Sequence, residues 1–236
     1  MKSADIPSRI AVVGTDTDVG KTVLSLFLMR FFFERGFNPF YLKPFQTGCD
    51  TPCDDYSDAR FIYENIDELR QKDPAGSVIA CYKTPKAPLF AARDQGEIIE
   101  LAPILKIVEK KAETHSPLII EAAGGVLVPI NEKENMIDLV RETRASPVIA
   151  ARAGLGTINH TLLTVEALKA RGISPLGIIL IKNEEIGPSD EMIAENIEAI
   201  ETASAIKVGG VIGRISNFKM PDSDSLKAIG AIFPEI

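Results

Sequence analysis

Short apolar runs rich in β-branched residues alternate along the chain with longer stretches whose apolar positions recur at helical spacing. Residues 9–14 (RIAVVG) form an apolar run of strand length that ends in a glycine-containing turn. Residues 22–35 follow with a helical pattern, and Gly36 is placed to stop it. Residues 37–44 read as a second strand, and 118–121, 147–151, 176–181 and 207–213 are further apolar runs without polar alternation. Strands that are apolar on both sides belong in a sheet covered on both faces. Helices between them, over 97–114, 157–171 and 189–203, make that sheet parallel. Residues 46–87 are the least regular, with Pro, Gly and Asp scattered through them. The pattern predicts a single doubly wound α/β domain over residues 1–236, with a mostly parallel sheet and helices on both faces. Ligands of such sheets bind at the carboxyl ends of the strands, so the informative residues are those that follow strands.

Composition narrows the function classes. The chain of 236 residues is 45% hydrophobic and 25% charged, an ordinary soluble composition. No apolar run approaches the roughly 18 residues of a membrane span. With 26 Lys and Arg against 33 Asp and Glu the net charge is −7, which argues against nucleic acid as a partner. The polar start of the chain carries no apolar export segment, so a cytoplasmic location is expected. Cys49, Cys53 and Cys81 are too few and unevenly spaced for a disulfide framework. Two histidines, His115 and His160, give little support to a His-based metal centre or a Ser-His-Asp hydrolase.

The strongest chemical signal follows the first strand. Gly14-Thr15-Asp16-Thr17-Asp18-Val19-Gly20-Lys21-Thr22 is a Walker A loop with five residues between its glycines instead of four. Backbone N–H groups of such a loop and the helix start behind it cradle phosphate, Lys21 reaches the β- and γ-phosphates, and Thr22 can ligate Mg²⁺. The sheet is therefore expected to be P-loop NTPase-like. Partition-type ATPases carry a second lysine early in this loop, where Asp16 stands here.

Phosphoryl transfer also needs carboxylates for Mg²⁺ and a means of aligning the acceptor. Glu121 ends the 118–121 run in a Walker B-like place, ahead of Ala122-Ala123-Gly124-Gly125. Asp58 precedes a short helical pattern and reads equally well as a cap or first-turn residue. Lys43 ends the second strand in Lys43-Pro44-Phe45-Gln46-Thr47-Gly48. Two lysines, Lys21 and Lys43, could then converge on one anionic centre. The bland reading of Lys43 is a surface lysine lying along its strand.

Together these motifs, with Gly154-Leu155-Gly156-Thr157-Ile158-Asn159-His160 after the 147–151 strand, resemble the dethiobiotin synthetase family, and the likeness covers most of the chain. Family members are ATP-dependent cyclo-ligases of biotin biosynthesis. The resemblance implies that 7,8-diaminopelargonic acid, CO2 and ATP are the partners, that a carbamate forms and attacks the γ-phosphate, and that the second amine closes a cyclic urea. Lys21 and Lys43 would be catalytic, and Mg²⁺ would be held by Thr22, Asp58 and Glu121. Nucleotide contacts would fall to Asp18, Val19, Gly20, Lys21, Thr22 and Val23. Asp58, Glu121, Ala122, Ala123 and Gly124 would add to them, and Asn183 would read the base. Thr17 would bind substrate, and Thr47 would hydrogen-bond the carbamate or diamine region. Gly156, Thr157, Ile158 and Asn159 would take its carboxylate from the neighbouring subunit, which makes a homodimer necessary. Without the family, Thr157 is only a helix cap, and His160 reads as a packed or capping histidine.

This chain departs from the family pattern at Ala122, where Gly is usual, and at Gly213-Arg214-Ile215-Ser216, where Ile-Pro is usual. Two rival readings are weaker. A cobyrinic acid a,c-diamide synthetase would append a glutaminase domain, for which 236 residues leave no room. A nucleotide-binding regulatory module without chemistry would lack Lys43, Asp58 or Glu121, and all three are present.

Overall fold

A computed structural model describes residues 6–182, 187–220 and 223–234. Its elements run β1 (Arg9–Gly14), α1 (Lys21–Phe33), β2 (Phe40–Thr47), α2 (Asp58–Asn65), β3 (Val78–Tyr82), α3 (Pro88–Asp94), α4 (Leu101–Ala112) and β4 (Leu118–Gly125). They continue α5 (Met136–Glu142), β5 (Ser146–Arg152), α6 (Thr157–Lys169), β6 (Gly177–Ile181), α7 (Asp190–Ser204), β7 (Val208–Ile212) and α8 (Ser223–Gly230). The strands form one sheet in the order β3-β2-β4-β1-β5-β6-β7. Every pairing in it is parallel, so the sheet is wholly and not merely mostly parallel.

The continuous apolar strands serve two cores at once. In β1, Ala11 and Val13 face a layer that includes α3 to α7, whereas Ile10 and Val12 face α1, α2 and α8. Alternate side chains of a strand point to opposite faces, so a strand buried on both sides cannot show a polar stripe. Helix α1 lies against the sheet with α2 and α8 around it, which is why its apolar residues go almost all the way round.

The structure moves several expected boundaries. Strand β2 runs to Thr47, so Lys43 sits inside a strand and not at its end. Phe40, Tyr41 and Leu42 pair with β4, while Lys43, Phe45, Gln46 and Thr47 pair with β3. Pro44 stands just past that handover and has no ladder partner on either side, which is how a strand flanked on both edges tolerates a residue without an N–H. The stretch 46–87 holds α2, a short 3-10 turn (Pro74–Ser77) and the edge strand β3. The helix expected over 97–114 begins only at Leu101. Among the described residues no helix is long and apolar enough to cross a membrane.

Candidate active site

The loop after β1 wraps over Lys21. Five intervening residues are accommodated by two left-handed positions, Asp18 at φ 55° and Gly20 at φ 94°. Asp tolerates that conformation better than most side chains, and Gly meets no penalty from a Cβ. The Lys21 ammonium donates to the Asp16 carbonyl at 2.7 Å, so the lysine lies back beneath its own loop. Burial, joined by the nearby positive charge of Lys43, lowers its pKa to about 8 against the pull of Glu121 and Asp58.

Beside the loop, β4 carries an irregularity. Val12 is level with Glu121 but Gly14 is level with Gly125, so two extra residues of β4 are taken up between them. The bulge carries Ala123 and Gly124 over the phosphate loop and leaves Glu121 beneath it, only 1% exposed. Four donors surround that carboxylate. Thr22 Oγ1 and Lys43 Nζ reach Oε1 at 2.9 and 2.8 Å, and Ser25 Oγ and Tyr41 OH reach Oε2 at 2.8 and 3.0 Å. A buried carboxylate needs this many partners, because desolvation without them costs more than folding can offset.

Asp58 turns out to be the first residue of α2, with Ser57 as the N-cap. Its backbone N–H donates to the buried Gln46 side chain at 3.1 Å, which anchors the helix start to β2. The carboxylate is therefore free to face the loop. Its Oδ1 accepts from Thr22 Oγ1 at 2.8 Å and its Oδ2 pairs with Lys43 Nζ at 2.7 Å. Burial would raise the Asp58 pKa, but Lys43, Thr22 and Lys21 together outweigh it and hold the group below the usual carboxylate range. Burial would likewise lower Lys43, and Glu121 with Asp58 overturn that and keep it firmly charged.

The Thr22 hydroxyl has one proton and two carboxylate oxygens within 2.9 Å. It can satisfy only one of them. Such a set of hard oxygen donors suits Mg²⁺, which takes one or two carboxylates, a hydroxyl and phosphate oxygens.

These groups line a cleft of about 720 Å³ at the carboxyl ends of β1, β2 and β4. Of the predicted site residues, Thr17, Asp18, Gly20, Lys21, Thr22, Val23, Lys43, Thr47, Asp58, Glu121, Ala123 and Gly124 all line it. Val19 and Ala122 do not: both are buried in the cores. Ala122 alternates with Glu121 along β4, so the methyl in which it departs from the family's Gly packs inward, away from the cleft.

Gly156, Thr157, Ile158 and Asn159 lie outside this cleft, at the start of α6. The cap there is Gly156, with Thr157 as first helical residue, and His160 is exposed, not packed. Asn183 falls outside the described residues. Sequence reasoning missed Tyr41, Ser25 and Gln46. Tyr41 precedes Lys43 by two on the same strand face, and Ser25 follows Lys21 by four on one helix face, so both were reachable by spacing.

A family model described as "AAA domain" matches residues 8–221. The ATP-dependent dethiobiotin synthetase BioD of Anaeromyxobacter sp. (strain K) is 38% identical over 181 residues, 76% of this chain and 78% of that protein. The chain belongs to the ATP-dependent dethiobiotin synthetase family. The synthetase of Anoxybacillus flavithermus is 33% identical over 211 residues, 88% of this chain and 92% of its own length. Among solved structures, the MinC:MinD cell division protein complex of Aquifex aeolicus covers 96% of this chain and 94% of its own, with a TM-score of 0.59 at 12% identity. That likeness shows the fold alone. Membership in the synthetase family makes this an ATP-dependent ligase of biotin biosynthesis.

Proposed function

We propose that residues 1–236 act as one synthetase domain that joins CO2 to 7,8-diaminopelargonic acid and closes the ureido ring, with ATP going to ADP and phosphate. The observation that carries this assignment of roles is the meeting of Thr22, Lys43, Asp58 and Glu121 within hydrogen-bond distance under the phosphate loop. In this reading Thr22, Asp58 and Glu121 hold Mg²⁺, which supplies positive charge against the phosphate oxygens.

The chain's own residues do the rest. The loop amides and the start of α1 receive the phosphates, and Lys21, its charge favoured by them, follows the γ-phosphate. One amine of the diamine adds to CO2 to give a carbamate. A carbamate oxygen attacks the γ-phosphorus and ADP leaves. The second amine then attacks the carbamoyl carbon, expels phosphate and closes the ring. Both steps build negative charge on oxygens near Lys43, and a buried fixed cation stabilises that charge far more than one in water. Thr47, at the end of β2, is placed to hydrogen-bond the carbamate, and Thr17 contacts the diamine from the loop.

The α6 start, residues 156–159, receives the substrate carboxylate from a second copy of the chain. Exposed Leu155 and Leu163 flank it, as suits a surface covered by a partner. Asn183 reads the nucleotide base. The proposed location is the cytoplasm, a reading that the three free thiols support.

The test is phosphate release from MgATP and bicarbonate, with and without 7,8-diaminopelargonic acid, and mass-spectrometric detection of the cyclic urea. Release that requires the diamine and yields the urea is expected. Diamine-independent hydrolysis, or none, would overturn the assignment.

A further inference from the structure

The buried Glu121 carboxylate has two unlike sides. Oε1 faces the reaction chemistry, with Thr22 and Lys43 against it, while Oε2 is held by Ser25 and Tyr41. Nothing in the covalent structure of a glutamate decides which oxygen points where, because its terminal torsion is broad and nearly two-fold. The donors must decide it, and they are not equivalent. Ser25 Oγ lies 2.8 Å from Glu121 Oε2 but also 2.9 Å from the Lys21 carbonyl, so its single proton has two acceptors. Thr22 is divided in the same way between Asp58 and Glu121. The Tyr41 hydroxyl is 3.0 Å from Oε2 and engages that acceptor alone. Its ring is wedged in the core that backs α1, so the hydroxyl cannot swing elsewhere.

We propose that Tyr41, assisted by Ser25, is a positioning residue that orients Glu121 so that Oε1 is presented to Thr22, Lys43 and a divalent cation. The inference rests on the reading that Glu121 is a Mg²⁺ ligand. Tyr41 and Lys43 are two apart on β2 and point to the same side, so one strand supplies both the orienting hydroxyl and the catalytic cation. Partners of a metal ligand that do not themselves touch the metal commonly govern its affinity.

The experiment is calorimetric titration of ADP into the full-length protein at graded Mg²⁺ concentrations, for wild type, Tyr41→Phe and Ser25→Ala. Tyr41→Phe keeps the ring and removes one hydroxyl. The Mg²⁺ concentration that gives half of the metal-dependent tightening of ADP is expected to rise roughly ten-fold. ADP affinity without Mg²⁺ is expected to stay as in wild type. Ser25→Ala is expected to shift it in the same direction by less, and it carries the test should Tyr41→Phe not fold. A Mg²⁺ dependence equal to wild type in both variants would overturn the inference, and so would an equal loss of ADP affinity with and without Mg²⁺. A wild-type protein whose ADP affinity ignores Mg²⁺ would instead overturn the metal reading itself, and this inference with it.

Discussion

Helices α1 and α6 begin in the same way and in adjacent places, yet the two starts stand in different surroundings. Each follows a central strand, β1 or β5, and each is capped by a left-handed glycine with no side-chain cap, Gly20 at φ 94° and Gly156 at φ 87°. A helix start leaves backbone N–H groups without intrahelical partners, which favours an anion, although at α6 the Thr157 N–H donates to the Gly154 carbonyl at 3.3 Å. At α1 the neighbourhood is buried and ionic: Lys21, Lys43, Asp58 and Glu121 converge within about one side-chain length. At α6 the neighbourhood is open, with Leu155 89% exposed before the cap. A helix start alone is a weak and general anion site. Desolvated, mutually neutralising charges beside α1 set that start apart, and under the proposed function they make it the place for phosphoryl transfer while the open α6 start is left to the substrate carboxylate.

Lys43→Ala attacks that difference most directly. Turnover is expected to fall by about 10²- to 10³-fold, the usual loss of a fixed group that stabilises developing charge. ADP affinity should change only a few-fold. The variant also leaves the buried Glu121 without its cationic partner, at about 3–5 kcal/mol of stability, visible in a denaturant melt. Equal losses of turnover and ADP affinity would reduce Lys43 to a nucleotide-binding residue.

Alanine at each cap separates the two starts. A Cβ on Gly20 would lie 2.7 Å from Ile181 Cδ1, besides adopting an unfavourable φ. Gly20→Ala should therefore cost about 2–4 kcal/mol and most of the nucleotide affinity. Gly156→Ala meets nothing within 4 Å, so only the backbone cost of about 1–2 kcal/mol applies. It should raise KM for the diamine while leaving ADP binding intact. Urea melts showing the same destabilisation at both caps would mean that the contact with Ile181 does not set the cost at Gly20.

The smallest effect is a proton. Burial and the Lys43 charge hold the Lys21 pKa at about 8, against 10.5 for an ordinary lysine. Between those values the unfolded chain holds more protons on this group than the folded one, so its contribution to stability rises with pH across that window. Phosphate restores the charge. ADP binding at about pH 9 should take up a fraction of a proton, seen as a dependence of the binding heat on the buffer's ionisation enthalpy. An anion at the α6 start should show none, and a Lys21→Arg variant should lose the uptake at α1.

Much of this was legible from the chain, and the reasons for what was not are specific. Apolar runs announced six of the seven strands seen among the described residues, since a strand buried on both faces is apolar over most of its length. The seventh, β3, is a half-buried edge strand of five residues, too short and too mixed to stand out among the turns of 46–87. The Walker A loop was legible because its chemistry requires particular residues at contiguous positions. Asp58 was ambiguous because a first-turn carboxylate looks the same whether it serves its own helix or a loop 36 residues upstream.

What the sequence determined by itself was therefore local: strand and helix periodicity, the glycine-rich loop, and the presence of two lysines and two carboxylates able to work together. The tertiary structure alone decided that Lys43 lies inside β2 between Asp58 and Glu121. It also decided that Ala122 faces the core and that Tyr41 and Ser25 grip the far side of the buried carboxylate. Those facts depend on which strands are neighbours and in what register, and on a two-residue bulge in β4. Such pairings are fixed by the packing of two cores against one sheet, a property of the whole chain that no single segment encodes.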